Sequence, residues 1–108
     1  MSTITVEGVE VDTRHWINGE RVASKATFDD VSPIDETLLG QVCAGGEDQV
    51  DRAVRAARYA FPAWAALPVA ERSALLRRVA DGIDARAEEL ARVETRDNGS
   101  LLRSHRRG

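Results

Sequence analysis

The sequence predicts an α+β fold: an N-terminal β-hairpin and strand arm followed by about three α-helices. Three observations predict it. Short β-prone runs separated by turn residues fill positions 1–46. From Glu47 onward the apolar residues recur three and four apart, the period of one helix face. Charge divides with the pattern: positions 1–54 carry 11 acids and 4 bases, whereas positions 55–108 carry 7 acids and 11 bases.

The elements follow in order. Thr3–Val11 alternates weakly through Ile4, Val6, Val9 and Val11, with Gly8 interrupting, and predicts a short strand pair or a frayed arm. In His15-Trp16-Ile17-Asn18-Gly19-Glu20-Arg21-Val22 an Asn-Gly pair separates two β-prone runs. Both residues of a two-residue hairpin turn need positive φ, which Asn and Gly tolerate, so a tight hairpin is predicted. Phe28–Val31 and Leu38–Ala44 read as two further strands, with Ser32-Pro33-Ile34-Asp35-Glu36 turning between them and Gly45-Gly46 ending the second. The sheet they form is expected to be small and antiparallel.

Glu47 to about Ala60 predicts the first helix. Val50, Ala53, Val54, Ala57 and Phe61 share its apolar face, and Glu47 and Asp48 suit the positive end of the helix dipole. Pro62 is expected to mark a break or tight turn near its end, with Trp64 and Leu67 continuing the apolar surface. Pro68 opens the second helix, where its missing N–H costs little. Leu75, Leu76, Val79 and Ile83 make the stripe expected to be buried, with Gly82 weakening the helix. Ala87, Leu90, Ala91 and Val93 form the next stripe, and Asn98-Gly99 supplies a stop. Leu101-Leu102 and the basic run through Arg107 then begin a further element.

Composition narrows the function. Of 108 residues, 25 are Ile, Leu, Val or Phe and 16 are Ala, so a globular fold is supported but its core has few large side chains. A chain this short leaves much of its surface exposed and would be marginal alone. A net charge of −3 argues against a nucleic-acid protein. No apolar window reaches a membrane span. Residues 1–11 show no basic segment followed by an apolar run, so no secretion signal is expected and the expected setting is cytoplasmic. The lone cysteine, Cys43, excludes a disulfide framework and a multi-Cys zinc site.

The chemistry-bearing residues are few. Cys43 sits in a strand with no cation close in sequence to activate it, and reads as a small buried hydrophobe. His15 and His105 are far apart and lack metal-ligand spacing. Gly45-Gly46 before a helix suggests an anion site, but Glu47 and Asp48 would repel phosphate, and the pair reads as a turn. Asp29-Asp30, Asp35-Glu36, Glu47-Asp48 and Glu88-Glu89 all fall where solvated turns or helix faces are expected. No catalytic or cofactor-binding residue is assigned.

The collinear order of several short pieces resembles the N-terminal segment of the NAD(P)-dependent aldehyde dehydrogenase superfamily. His-Trp-Ile-Asn-Gly-Glu at 15–20 is similar to its opening hairpin, and Phe28 to Pro33 with Leu39-Gly40-Gln41-Val42 to its next strand pair. Glu47 to Val54, Ala56-Ala57, Ala60-Phe61 and Trp64 resemble the first helix. Glu71-Arg72, Leu75-Leu76, Ala80-Asp81 and Ile83 resemble the second, and Glu89-Leu90-Ala91, Glu94-Thr95, Asp97 and Gly99 the third. Ser32 stands where Asn is common before Pro, Ile34 to Thr37 replace the usual turn, and Ser100-Leu101-Leu102 follow Gly99 where Lys-Pro is frequent. These departures point to an unusual subgroup, such as the semialdehyde dehydrogenases of aromatic degradation.

The resemblance implies an oxidoreductase that converts an aldehyde or semialdehyde to a carboxylate with NAD or NADP, as a cytoplasmic homo-oligomer when full-length. It implies that residues 1–108 begin a Rossmann-like cofactor-binding domain: a β arm at 1–46, a helical layer at 47–99, and a truncated continuation at 100–108. Aldehyde oxidation needs a thiolate, donors for an oxyanion and a placed nicotinamide. In the family these groups lie further along, so the piece is expected to be inactive alone. One site is implied inside it. Some members hold a monovalent cation, potassium or sodium, with a backbone oxygen just before the Asn-Pro turn and an Asp of the Glu-Thr-x-Asp-x-Gly motif. Val31 and Asp97 match those positions, and Asp30 occupies a place often held by Thr. Oxygen ligands suit a hard cation. Two readings compete with the dehydrogenase: a stand-alone helical module binding a protein through the same stripes, and a nucleic-acid accessory using Arg103, Arg106 and Arg107.

Overall fold

The computed structural model describes residues 2–100. Leu101, Leu102, Arg103, His105, Arg106 and Arg107 lie outside the described residues. Six strands precede three helices: β1 (Thr3–Val6), β2 (Val9–Asp12), β3 (His15–Ile17), β4 (Glu20–Val22), β5 (Thr27–Val31), β6 (Leu38–Cys43), α1 (Glu47–Ala66), α2 (Val69–Ala85) and α3 (Ala87–Asn98).

The strands form three antiparallel two-stranded ribbons, each pairing neighbours in sequence, rather than one sheet. Turn chemistry sets the register. Asn18 and Gly19 take φ of 53° and 74°, which fixes Ile17 opposite Glu20 and Trp16 opposite Arg21. Glu7 and Gly8 adopt the same pair of positive φ values, so the residue expected to interrupt the first strand makes its hairpin instead. Arg21 stacks on Trp16 across β3–β4, 4.9 Å from the ring centroid.

Thr13 welds the ribbons together. Its N–H and hydroxyl both donate to the Ser2 carbonyl, and its own carbonyl accepts from Cys43 N–H at 3.0 Å. On β6, a Cβ at Gly40 would stand 2.4 Å from Ile4 Cγ2, so β1 and β6 touch where there is no side chain. The buried apolar core of the described residues is small: Val6, Ile17 and Ala91.

The helices depart from the sequence reading in two ways. Pro62 does not end α1, which runs on to Ala66 with Pro62 inside it. This stretch is exposed, so the Arg58 carbonyl that loses its N–H partner stays open to water, and the Ala-rich flanks favour helix. Nor is the α2 stripe buried: Leu75, Leu76, Val79 and Ile83 are all exposed, and α2 continues through Gly82. Periodicity gave the face correctly, but burial needs a second layer. Other ends match expectation. Gly46 N–H donates to Gln49 Oε1 at 2.8 Å, closing the start of α1. Gly99 caps α3 in the left-handed region at φ 79°, its N–H bonded to the Thr95 carbonyl.

Candidate functional site

The turn between β5 and β6 positions the site. Ser32 is fully buried; its N–H donates to the Thr37 carbonyl at 2.9 Å and its carbonyl accepts from Glu36 N–H. Its Oγ accepts from Ile34 N–H at 3.3 Å, the side-chain turn that an Asn would make, which accounts for Ser at this place. The end of α3 seats on this turn. Pro33 Cγ lies 3.3 Å from where a Cβ on Gly99 would stand. Arg96 donates to Asp35 at 2.7 Å and to Thr37 Oγ1 at 3.1 Å, and reaches Glu7 at 3.7 Å. Asp35 is held down to about 2 by hydrogen bonds from Thr37 and by Arg96.

This seating brings Asp97 to Asp30. The cross-strand partner of Asp30 is Gly40, which offers it no side chain, and the ladder shifts register between Asp30 and Val31. The Asp97 carboxyl facing it, with partial burial, pushes the Asp30 pKa up to about 6. A cation beside the pair would favour the ionised form. Val31 is exposed as a side chain and can contribute only its backbone oxygen.

Asp30 and Asp97 lie on the rim of a groove of about 630 Å³ between the ribbons and the α2–α3 corner. Its apolar wall includes Val6, Val11 and Val42 on one side and Ile83, Leu90 and Ala91 on the other, with Asp12, Asp84 and Glu94 also at its edge. Asp12 is committed elsewhere: Arg14 meets both its oxygens, at 2.7 and 3.1 Å, and holds its pKa well below the usual carboxylate range. Among the described residues no three His, Cys, Asp or Glu side chains converge as a metal centre, so a cation at Asp97 would depend on backbone oxygen.

The remaining candidates do not join this site. Cys43 is half-buried rather than buried, and Arg14 lies within electrostatic reach of it, a neighbour that sequence distance hides. The Arg14 fork is nonetheless taken by Asp12. His15 Nε2 lies 3.2 Å from Ser24 Oγ, whose proton goes to the Ala26 carbonyl, so this Ser is anchored to backbone. His105 lies outside the described residues. The family resemblance matched Val31 and Asp97 to a cation site and set Asp30 next to Val31; neither it nor any local pattern of residues revealed the pairing of Asp30 with Asp97.

Three ribbons and a helical layer thus meet at one carboxyl pair, an α+β arrangement. The model of the aldehyde dehydrogenase family matches residues 16–107. The chain belongs to the aldehyde dehydrogenase family. It is 45% identical over 85 residues to 5-carboxymethyl-2-hydroxymuconate semialdehyde dehydrogenase of Escherichia coli, covering 79% of this chain and 18% of that protein. It is 43% identical over 99 residues to 2-hydroxymuconic semialdehyde dehydrogenase of Pseudomonas sp. CF600, covering 87% and 20%. Among solved structures it is similar to PnpE of Pseudomonas sp. WBC-3 in complex with nicotinamide adenine dinucleotide. There the TM-score is 0.82 and the identity 42%, covering 87% of this chain and 20% of that one. The chain thus spans about a fifth of the length of the relatives it matches. The match favours the dehydrogenase reading over a stand-alone module.

Proposed function

We propose that these residues serve an enzyme that oxidises an aldehyde, of the semialdehyde class, to a carboxylate. Residues 1–46 supply a β arm and residues 47–99 a helical layer of its cofactor-binding domain. The observation that carries this reading is the 45% identity over 85 residues to a protein named a semialdehyde dehydrogenase. NAD or NADP, when bound, accepts the hydride. Glu47 and Asp48 occupy the first turn of α1 and would repel a phosphate there, so this reading assigns the nucleotide site to the rest of the enzyme. This chain's part is therefore to build and brace, and the reacting groups come from elsewhere in the enzyme.

Bracing centres on the Asp30–Asp97 junction. In this reading Asp97 and the backbone oxygen of Val31 hold a monovalent cation, potassium or sodium, with Asp30 alongside. The support is the donor set, hard oxygens whose mutual repulsion a cation relieves. The working enzyme is a cytoplasmic homo-oligomer that takes a small aldehyde and binds neither nucleic acid nor membrane. No helix among the described residues is long and apolar enough to cross a membrane.

The deciding experiment is a substrate screen on a continuous enzyme carrying these residues. Formation of reduced nicotinamide with muconic-type semialdehydes is expected. No reduction with any aldehyde, NAD and NADP both supplied, overturns the reading.

A further inference from the structure

We propose that Arg96 is a positioning residue for the cation site, orienting two ligands at once: the Asp97 carboxylate through the helix, and the Val31 carbonyl through a peptide plane. The inference rests on the cation reading given above and adds how its ligands are held. Arg96 Nη2 donates to Asp35 Oδ2 at 2.7 Å and to Thr37 Oγ1 at 3.1 Å, and Arg96 Nε lies 3.7 Å from Glu7 Oε1. The Thr37 hydroxyl donates in turn to Asp35 Oδ1 at 2.7 Å, so Arg96, Thr37 and Asp35 close a ring. The Arg96 side chain is 24% exposed, less than either acid it meets, and so lies inward of both turns.

Two routes lead from this ring to the ligands. The first is the helix. Successive helical side chains stand about 100° apart, so fixing Arg96 fixes the rotation of α3 at Asp97. Leu90, Val93, Glu94 and Asp97 line the groove, while Arg96 grips the turns beside it. The second route is the backbone. The Thr37 carbonyl accepts from Ser32 N–H at 2.9 Å. That N–H belongs to the same planar peptide as the Val31 carbonyl, so holding the one sets the direction of the other. By anchoring Thr37 from its side chain, Arg96 steadies the acceptor on which the Val31 oxygen depends.

Lost charge and lost position act in opposite directions, which makes the sign of the effect decisive. Removing a positive charge near a bound cation tightens binding, whereas releasing its ligands loosens it. The test is thermal melting of a continuous enzyme carrying these residues, titrated with potassium chloride and separately with sodium chloride, choline chloride keeping ionic strength constant. In the unaltered enzyme the melting temperature should rise with at least one ion. Arg96→Gln should raise the half-maximal ion concentration roughly ten-fold or more, the scale set by losing the outer support of a ligand. Arg55→Gln, which removes the same charge from an ion pair on α1, should leave it unchanged. Should Arg96→Gln not melt cooperatively, Thr37→Val breaks the second route without changing charge and should raise the same concentration. A half-maximal concentration that stays the same or falls in the variant, with melting lowered equally at every ion concentration, overturns the positioning role alone. So does an equal shift in Arg55→Gln. An unaltered enzyme that melts identically in both ions and in choline overturns the cation reading, and the positioning role with it.

Discussion

Asp30 on β5 faces Asp97 at the end of α3, setting two carboxyl groups where the ribbon layer meets the last helix. The Asp97 carboxyl pushes the Asp30 pKa up to about 6, against 3.8 for an ordinary aspartate. Between those values the folded chain holds more protons than the unfolded one, so stability falls as pH rises. The contribution is whole below about pH 4 and gone once pH passes the folded value. Asp35, held down to about 2, acts oppositely: its contribution is present above 3.8 and lost as pH falls toward 2. In buffer free of alkali metal, urea midpoints should decline from pH 4 to pH 7, and Asp30→Asn should flatten that decline. A parallel decline in both forms would show that the pair is not its source.

A cation should replace that proton. In a continuous enzyme carrying the whole fold, potassium or sodium bound only to the folded state stabilises by about 2.7 kcal/mol at a hundred times its dissociation constant. Asp97→Ala should lower the melting temperature and abolish its specific dependence on either ion. Equal melting of both forms at every potassium and sodium concentration, at constant ionic strength, would leave Asp97 a local helix-end group.

At the contact between β1 and β6, Gly40→Ala drives a methyl into the Ile4 side chain, with atoms at 2.4 and 2.9 Å. Overpacking of this kind costs about 1–3 kcal/mol. Ile4→Ala should recover part of the loss, and a double-mutant cycle by denaturant titration should return a coupling well above ~0.5 kcal/mol. Additive losses would show that the strands can separate without cost.

The β3–β4 turn gives a smaller and cleaner effect. Gly19→Val forces a β-branched residue to φ near 74° and should cost on the order of 1 kcal/mol or more. Unchanged thermal stability of the continuous enzyme would mean that the hairpin tolerates another turn.

The purified 108-residue chain should reduce neither NAD nor NADP in the presence of aldehydes. Cys43 occupies a strand and its N–H is spent on the Thr13 carbonyl. Activity that disappears in Cys43→Ala would overturn both the structural role of this thiol and the division of labour proposed above.

Local chemistry was the most readable part of the sequence. Asn18-Gly19, the Gly99 cap and the three apolar periodicities each depend on a few adjacent residues, and each came out as expected. The end of α1 did not, because Pro62 interrupts a helix only where the lost bond matters, and an exposed carbonyl can turn to water. Burial of the α2 stripe was misread because a stripe states a preference for cover without supplying it. The proximity of Arg14 to Cys43 was invisible because it is made by one ribbon docking on another. Val31 and Asp97 came into view only through family resemblance, and the closeness of Asp30 to Asp97 only through the fold, since nothing in either neighbourhood marks the other.

Arg96 has a bearing on the order in which the molecule assembles. Every strand pair among the described residues joins neighbours in sequence, so each ribbon can close soon after its own residues are made. The Arg96 contacts to Asp35 and Thr37 span 61 and 59 residues. During synthesis from the N-terminus, Thr13 can join the ribbons as soon as Cys43 is made, but their turns lack the Arg96 fastening until almost the whole of α3 has appeared. One guanidinium near the end of the last helix then fastens the β1–β2 and β5–β6 turns in a single event, making it a late latch on structure that was made early.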